Sequence, residues 1–249
     1  MVETLCKELR MQKNYLGKDV AHSIYFGGGT PSLLKHEQLK KIMRVISLTY
    51  DLSSNPEITL EANPDDLSEE KLTSFKTLGI NRLSIGIQSF HDESLSWMNR
   101  QHSGQEAVDS FFLARQVGFE NISIDLIYAV PSHNHDLWKA DLKQAMLLQP
   151  EHISSYCLTI EPKTAFGKWL ERGQLEVADE DFAAEQFELL QTHIRSYGYE
   201  GYEISNFCLP GYESLHNSNY WRHDKYLGIG PSAHSFNGKI RQANVANNG

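Results

Sequence analysis

Five groups of residues carry types and spacings that could do chemistry. Gly27-Gly28-Gly29-Thr30-Pro31 follows a short apolar run. Glycines let a ligand approach the backbone closely, and their N–H groups can donate to it; a tight strand-to-helix turn is the plainer use of the same run. Glu61-Ala62-Asn63-Pro64 offers a carboxylate that could hold an amine or a ribose hydroxyl, or fix a loop. Gln88-Ser89-Phe90 is followed by Asn99-Arg100. Gln88 is donor and acceptor together, and Arg100 is a planar fork for a carboxylate, or the cation of a surface ion pair. Asp125 sits inside the apolar run 122–127, where an acid is costly unless paired or liganded. That points to a site over a structural ion pair, because an acid inside a barrel usually serves one. Finally, His216-Asn217-Ser218-Asn219-Tyr220-Trp221 precedes a glycine-rich stretch at 228–235. A histidine beside aromatics can ligate haem iron or stack on a planar macrocycle. On chemistry alone, a core histidine packed on Tyr220 and Trp221 is the stronger reading.

The elements that must position these groups alternate along the chain. Apolar spacing predicts a helix over 2–15 with Leu5, Leu9 and Leu16 on one face, a strand over 22–26, and a helix over 36–49. A strand over 57–62 stops at Asn63-Pro64, and Ser68 is placed to cap a helix over 69–78. A strand over 82–88 precedes Ser103 and Glu106, which form a capping box for a helix over 104–117. Strands at 122–130 and 152–160, helices at 136–148 and 180–197, and a last strand at 199–207 complete the pattern. Strand–helix alternation implies parallel strands with crossover helices, so the fold class is α/β. A partial barrel is preferred over a doubly wound open sheet. In either, polar residues just after the strands belong to the functional face, and the clusters above fall at successive strand ends.

Composition excludes several classes. Twenty-three Lys and Arg against 32 Asp and Glu leave a net charge of −9, which argues against a general nucleic-acid binder. No apolar run is long enough to span a membrane, and the N-terminus has no signal-peptide character. Cys6, Cys157 and Cys208 are three and widely spaced, which suits a reducing cytoplasm and not a disulfide scaffold. They form no CxxC or CxxxCxxC and are poor cluster ligands. His133 and His135 lack an identifiable third metal ligand and read as a helix-start loop.

The ordered motifs YFGGGTPSLL (25–34), EANPDDL (61–67), RLSIGIQSF (82–90), NRQH (99–102), IDLIYAVP (124–131), HNSNYW (216–221) and GIGPSAHSF (228–236) resemble one family. It is that of the radical S-adenosylmethionine (SAM) proteins related to oxygen-independent coproporphyrinogen III oxidase. HNxxYW places the resemblance in the branch of HemW-type haem chaperones. The resemblance implies a partial six-stranded (β/α) barrel over 1–198, lacking its first strand in this chain. A C-terminal extension over 199–249 would begin a truncated accessory domain. It implies that Gly28, Gly29 and Thr30 grip the amino-acid portion of SAM, that Glu61 binds the same or a neighbouring SAM, and that Gln88, Arg100 and Asp125 contact the first or a second SAM. It implies His216 as the haem-contacting residue.

The family's [4Fe–4S] cluster, held by CxxxCxxC, reduces SAM to a 5′-deoxyadenosyl radical. That motif is absent here, so the resemblance implies a cluster only in a full-length form, no metal site in this chain, and no catalytic competence as written. The implied function is haem and SAM binding in a cytoplasmic haem chaperone, with haem-accepting respiratory membrane proteins and an electron donor as partners. The alternative is radical-SAM decarboxylation of coproporphyrinogen in porphyrin biosynthesis. An unrelated barrel enzyme binding a phosphate ester at the glycine loop ranks third.

Overall fold

The computed structural model describes residues 1–246; the last residues of the extension expected over 199–249 lie outside them. In chain order the elements are α1 (Val2–Met11), β1 (Ala21–Phe26), α2 (His36–Thr49), β2 (Leu52–Ala62), α3 (Glu69–Thr77), β3 (Arg82–Gln88), α4 (Asp92–Trp97), α5 (Gly104–Gln116) and β4 (Ile122–Tyr128). There follow α6 (Asp136–Leu148), β5 (His152–Cys157), α7 (Ala165–Glu171), α8 (Glu180–Ser196), β6 (Glu200–Gly201), β7 (Asn206–Cys208), α9 (Leu215–Trp221), β8 (His234–Phe236) and β9 (Arg241–Ala243). They divide into two compact units: residues 1–61, 68–82 and 214 onward, and residues 62–67 with 83–213.

In the first unit β1 and β2 pair in parallel, with Tyr25 opposite Thr59 and Phe26 opposite Leu60. The apolar alternates of β2, Ile58, Leu60 and Ala62, are buried, and those of β1 are half-buried. Ile24 and Phe26 pack on the core made by Cys6 and Leu9 of α1 with Ile42, Val45 and Ile46 of α2. The opposite face of β2 carries Glu57, Thr59 and Glu61, because strand side chains alternate. Ser68 caps α3 as predicted, its Oγ accepting from the Lys71 N–H. Helix α1 ends at Met11, short of the predicted 15. Gly17 at φ +71° and four-residue turns from Gln12 to Tyr15 and from Asn14 to Gly17 replace its last turn, so Leu16 lies outside the helix.

In the second unit β3, β4 and β5 run parallel, and β7 then β6 follow on the far side of β5. The predicted strand at 199–207 is instead two short antiparallel strands, β6 and β7, with Ile153 opposite Phe207. A parallel partner here would need another crossover, whereas a tight turn suffices to bring β6 back on β7. Strands β4 and β5 also end two to three residues early, at Tyr128 and Cys157; Ala129 has turned to φ +61°, which ends the pleat. Their apolar alternates, Ile122, Ile124, Leu126 and Ile153, are fully buried. The polar alternates share the other face: Asp125 stands opposite Ser154, and Ser154 opposite Asn206. Helix α5 starts with the predicted box, Ser103 accepting from Glu106 N–H while the Glu106 carboxylate accepts from Ser103 N–H. Patterning did not reveal α4, α7, α9, β8 or β9, which are too short to show a period.

Candidate functional site

In the first unit, β1 ends at Phe26 and delivers the chain into the glycine loop. Glu61 reaches back to that loop: its Oε1 accepts from the Tyr25 hydroxyl at 2.7 Å and its Oε2 from the Gly28 N–H at 3.1 Å. At Gly27 a Cβ would stand 2.5 Å from Tyr25 Cε1 and 2.7 Å from Glu61 Oε1, so those two side chains would have to shift to admit one. Gly28 is required by conformation, at φ +75°. A Cβ on Gly28 or Gly29 would meet nothing within 4 Å, so both face open space through which a ligand can reach the backbone. Thr30 follows at φ −128° and ψ 74°, ahead of the 3-10 turn Pro31–Leu33, its side chain exposed.

Four residues before Glu61 on the same strand face, Glu57 accepts from the backbone N–H groups of Leu215 at 3.0 Å and His216 at 3.2 Å. Together with Ser214, whose Oγ accepts from the Asn217 N–H, it caps α9 and fixes His216. The His216 ring stacks on Tyr25, centroids 4.1 Å apart and planes 17° apart, and meets Tyr220 edge-on at 5.1 Å. Trp221 is 59% exposed and forms no part of that packing. Burial, with a smaller contribution from the Arg82 charge, pushes the His216 pKa down to about 4, so the ring is neutral at physiological pH. A neutral imidazole is the form that ligates a metal. Tyr25 therefore joins the acid of the glycine loop to the histidine of HNSNYW. Neither Tyr25 nor Glu57 stood out in the sequence; the only available signal was the matching strand phase of Glu57 and Glu61.

In the second unit Gln88 ends β3, buried and at φ +69°. The Ser89 N–H donates to the Ile87 carbonyl at 2.9 Å, closing a three-residue γ-turn centred on Gln88. A γ-turn of this hand is rare and strained, costing a non-glycine residue about 1–3 kcal/mol. An extra residue between Ile85 and Gln88, relative to β4, makes a bulge beside it. Gly86 leaves room for the amide, since a Cβ there would lie 2.9 Å from Gln88 Nε2. Asp125 accepts from Ser84 Oγ at 3.1 Å. Asn99, at φ +57°, ends the turn after α4 and lets the Arg100 N–H bond to the Leu95 carbonyl at 2.9 Å. Burial lowers the Arg100 pKa, while the charges of Asp125 and Asp65 oppose that shift. His102 is buried, with Nε2 3.0 Å from the Ile87 carbonyl and Nδ1 3.7 Å from Asp65. Its place in NRQH was visible in the sequence, its contacts were not.

The structure thus gathers Gly28, Gly29, Thr30, Glu61 and His216 in one unit, and Gln88, Arg100 and Asp125 in the other. His135 is engaged with Glu185 at 2.8 Å and stacks on Phe182. Cys6 and Cys208 are buried and Cys157 is exposed, and none of the three forms a disulfide among the described residues.

The Radical SAM superfamily model matches residues 5–145. The chain belongs to the radical SAM superfamily. Within it, the chain is 41% identical over 230 residues to "Heme chaperone HemW" of Bacillus subtilis, covering 92% of this chain and 61% of that protein. It is 38% identical over 228 residues to the protein of the same name from Escherichia coli, covering 89% and 59%. Its sequence relatives are therefore HemW-type radical SAM proteins, and the chain spans about 60% of their length. Among solved structures, the coproporphyrinogen III oxidase HemN of Escherichia coli, a radical SAM enzyme, superposes with a TM-score of 0.83 at 20% identity, over 99% of this chain and 59% of that one. The fold is the α/β partial barrel of this superfamily.

Membership implies SAM and a [4Fe–4S] cluster. By type, the donors within each unit fit parts of SAM: in the first the Glu61 carboxylate suits an ammonium, and in the second the Asp125 carboxylate suits a cation and the Arg100 fork a carboxylate. They do not fit the cluster, since among the described residues no group of three or more His, Cys, Asp or Glu could hold a metal ion. No described helix is long and apolar enough to cross a membrane.

Proposed function

We propose that this chain carries the SAM-contacting and haem-contacting residues of a haem chaperone-like radical SAM protein. The observation that carries the reading is the Tyr25 junction, with its hydroxyl on Glu61 and its ring against neutral His216. Gly28, Gly29 and Thr30 take the amino-acid end of SAM, with Glu61 on its ammonium. Gln88, Arg100 and Asp125 contact SAM as well, the same molecule or a second one. His216 offers a ring nitrogen to haem iron, between the rings of Tyr25 and Tyr220. No radical step is assigned to these residues, because the cluster has no ligand set among them.

The relatives named as haem chaperones support this reading over coproporphyrinogen decarboxylation, for which the support is a likeness of fold. A cytoplasmic location, haem-accepting respiratory membrane proteins, an electron donor, and the assignment of 199–249 as a C-terminal extension belong to the same proposal. So does the absence of a nucleic-acid partner, in keeping with the net charge of −9.

Haem titration followed in the Soret band tests it. The 249-residue chain is expected to bind with a histidine-ligated spectrum, and His216→Ala to lose that spectrum and weaken binding at least tenfold. An unchanged spectrum and affinity in the variant overturns the assignment.

A further inference from the structure

Asp141, on α6, is nearly fully buried and belongs to none of the motifs above. A buried carboxylate needs a purpose or a set of donors, because desolvation penalises its charged form. Here burial does raise its pKa, against the opposing pull of two hydrogen bonds and of His91. Both bonds go to the residues that follow Gln88. Ser89 Oγ donates to Asp141 Oδ2 at 2.7 Å, and the Phe90 N–H donates to Oδ1 at 2.7 Å. His91 completes the wrap: its N–H donates to Ser89 Oγ at 3.1 Å and its Nε2 lies 3.7 Å from Asp141 Oδ1. On the other side of Gln88, the Ile87 carbonyl faces His102 Nε2 at 3.0 Å. The strained γ-turn is therefore gripped at both flanks by buried side chains from outside β3. Strained backbone persists only where its surroundings over-determine it, and such places cluster at ligand sites.

We propose that Asp141 is a positioning residue, whose grip on Ser89 and Phe90 holds Gln88 in the conformation that presents its amide to SAM. Asp141 touches no ligand itself; it acts through the backbone of the turn. The inference rests on the reading that Gln88 contacts SAM, and a double-mutant cycle separates the two.

SAM affinity is measured by calorimetry on the 249-residue chain, for Asp141→Asn, Gln88→Ala and the double variant. Asparagine keeps the volume but has one oxygen where two donors need acceptors. Asp141→Asn is expected to weaken SAM about tenfold in the native background and less than twofold in the Gln88→Ala background. If Asp141→Asn does not fold, Ser89→Ala removes one of the two bonds and serves the same cycle, with a smaller loss that also vanishes when Gln88 is alanine. Equal weakening in both backgrounds, or none in the native one, overturns the inference and leaves Gln88 as a contact. If Gln88→Ala alone does not weaken SAM, the assignment of Gln88 fails and the inference falls with it. Failure of the native chain to bind SAM overturns the site reading as a whole.

Discussion

The two units place their polar groups by different means. In the first, side chains hold side chains: Glu61 and Glu57 are spaced on one strand face, and each accepts two hydrogen bonds at 3.2 Å or less from a loop, a ring hydroxyl or a helix start. In the second, the backbone itself is bent out of its preferred region at Gln88 and clamped by buried Asp141 and His102. The first arrangement is sensitive to charge and to space, the second to conformation. Substitutions should reveal that difference without any ligand present.

The largest expected effect is one of charge in the first unit. The folded-state His216 pKa of about 4 lies below the ordinary 6.5, so between those values the unfolded chain binds more protons than the folded one. Stability therefore rises with pH through that window. Its His216 component is fully present above 6.5 and lost as pH falls to about 4, at most about 3 kcal/mol. The Arg82 charge opposes protonation of the ring, against which Tyr25 and Tyr220 pack. Denaturant midpoints at pH 7 and pH 4.5, for the native chain and His216→Phe, measure the difference. An identical pH slope in the two would remove charge from the account of this unit.

A smaller effect separates space from conformation in the glycine loop. Gly27→Ala forces a methyl against Tyr25 and Glu61 and is expected to cost about 2 kcal/mol. Gly29→Ala points into open space and is expected to stay within about 0.5 kcal/mol of the native chain while narrowing the approach to the backbone. Thermal unfolding checks the first statement and SAM titration the second. Equal stabilities for the two variants would mean that Tyr25 and Glu61 yield freely.

The smallest effect belongs to the second unit. At Gln88, glycine relieves the positive φ that alanine keeps, so Gln88→Gly is expected to be about 1 kcal/mol more stable than Gln88→Ala. Both lose the amide and should bind SAM equally weakly. If the two unfold together, the turn is not strained and the contrast between the units disappears.

The sequence by itself determined the elements with local causes. Ser68 and the Ser103–Glu106 pair cap their helices because a cap needs only a neighbour three residues away, and the helix over 36–49 follows from apolar spacing alone. The parallel alternation, the superfamily and the residues at strand ends were equally legible, since each rests on type and order. What only the tertiary structure decided is how those residues are held. Tyr25 and Glu61 are 36 positions apart, Ser89 and Asp141 are 52 apart, and Glu57 and His216 are 159 apart. No periodicity spans such distances, and a hydrogen bond leaves no composition signal. The left-handed backbone at Gln88 was hidden for the same reason: glutamine has no intrinsic preference for it, and the buried acid that sustains it comes from another helix.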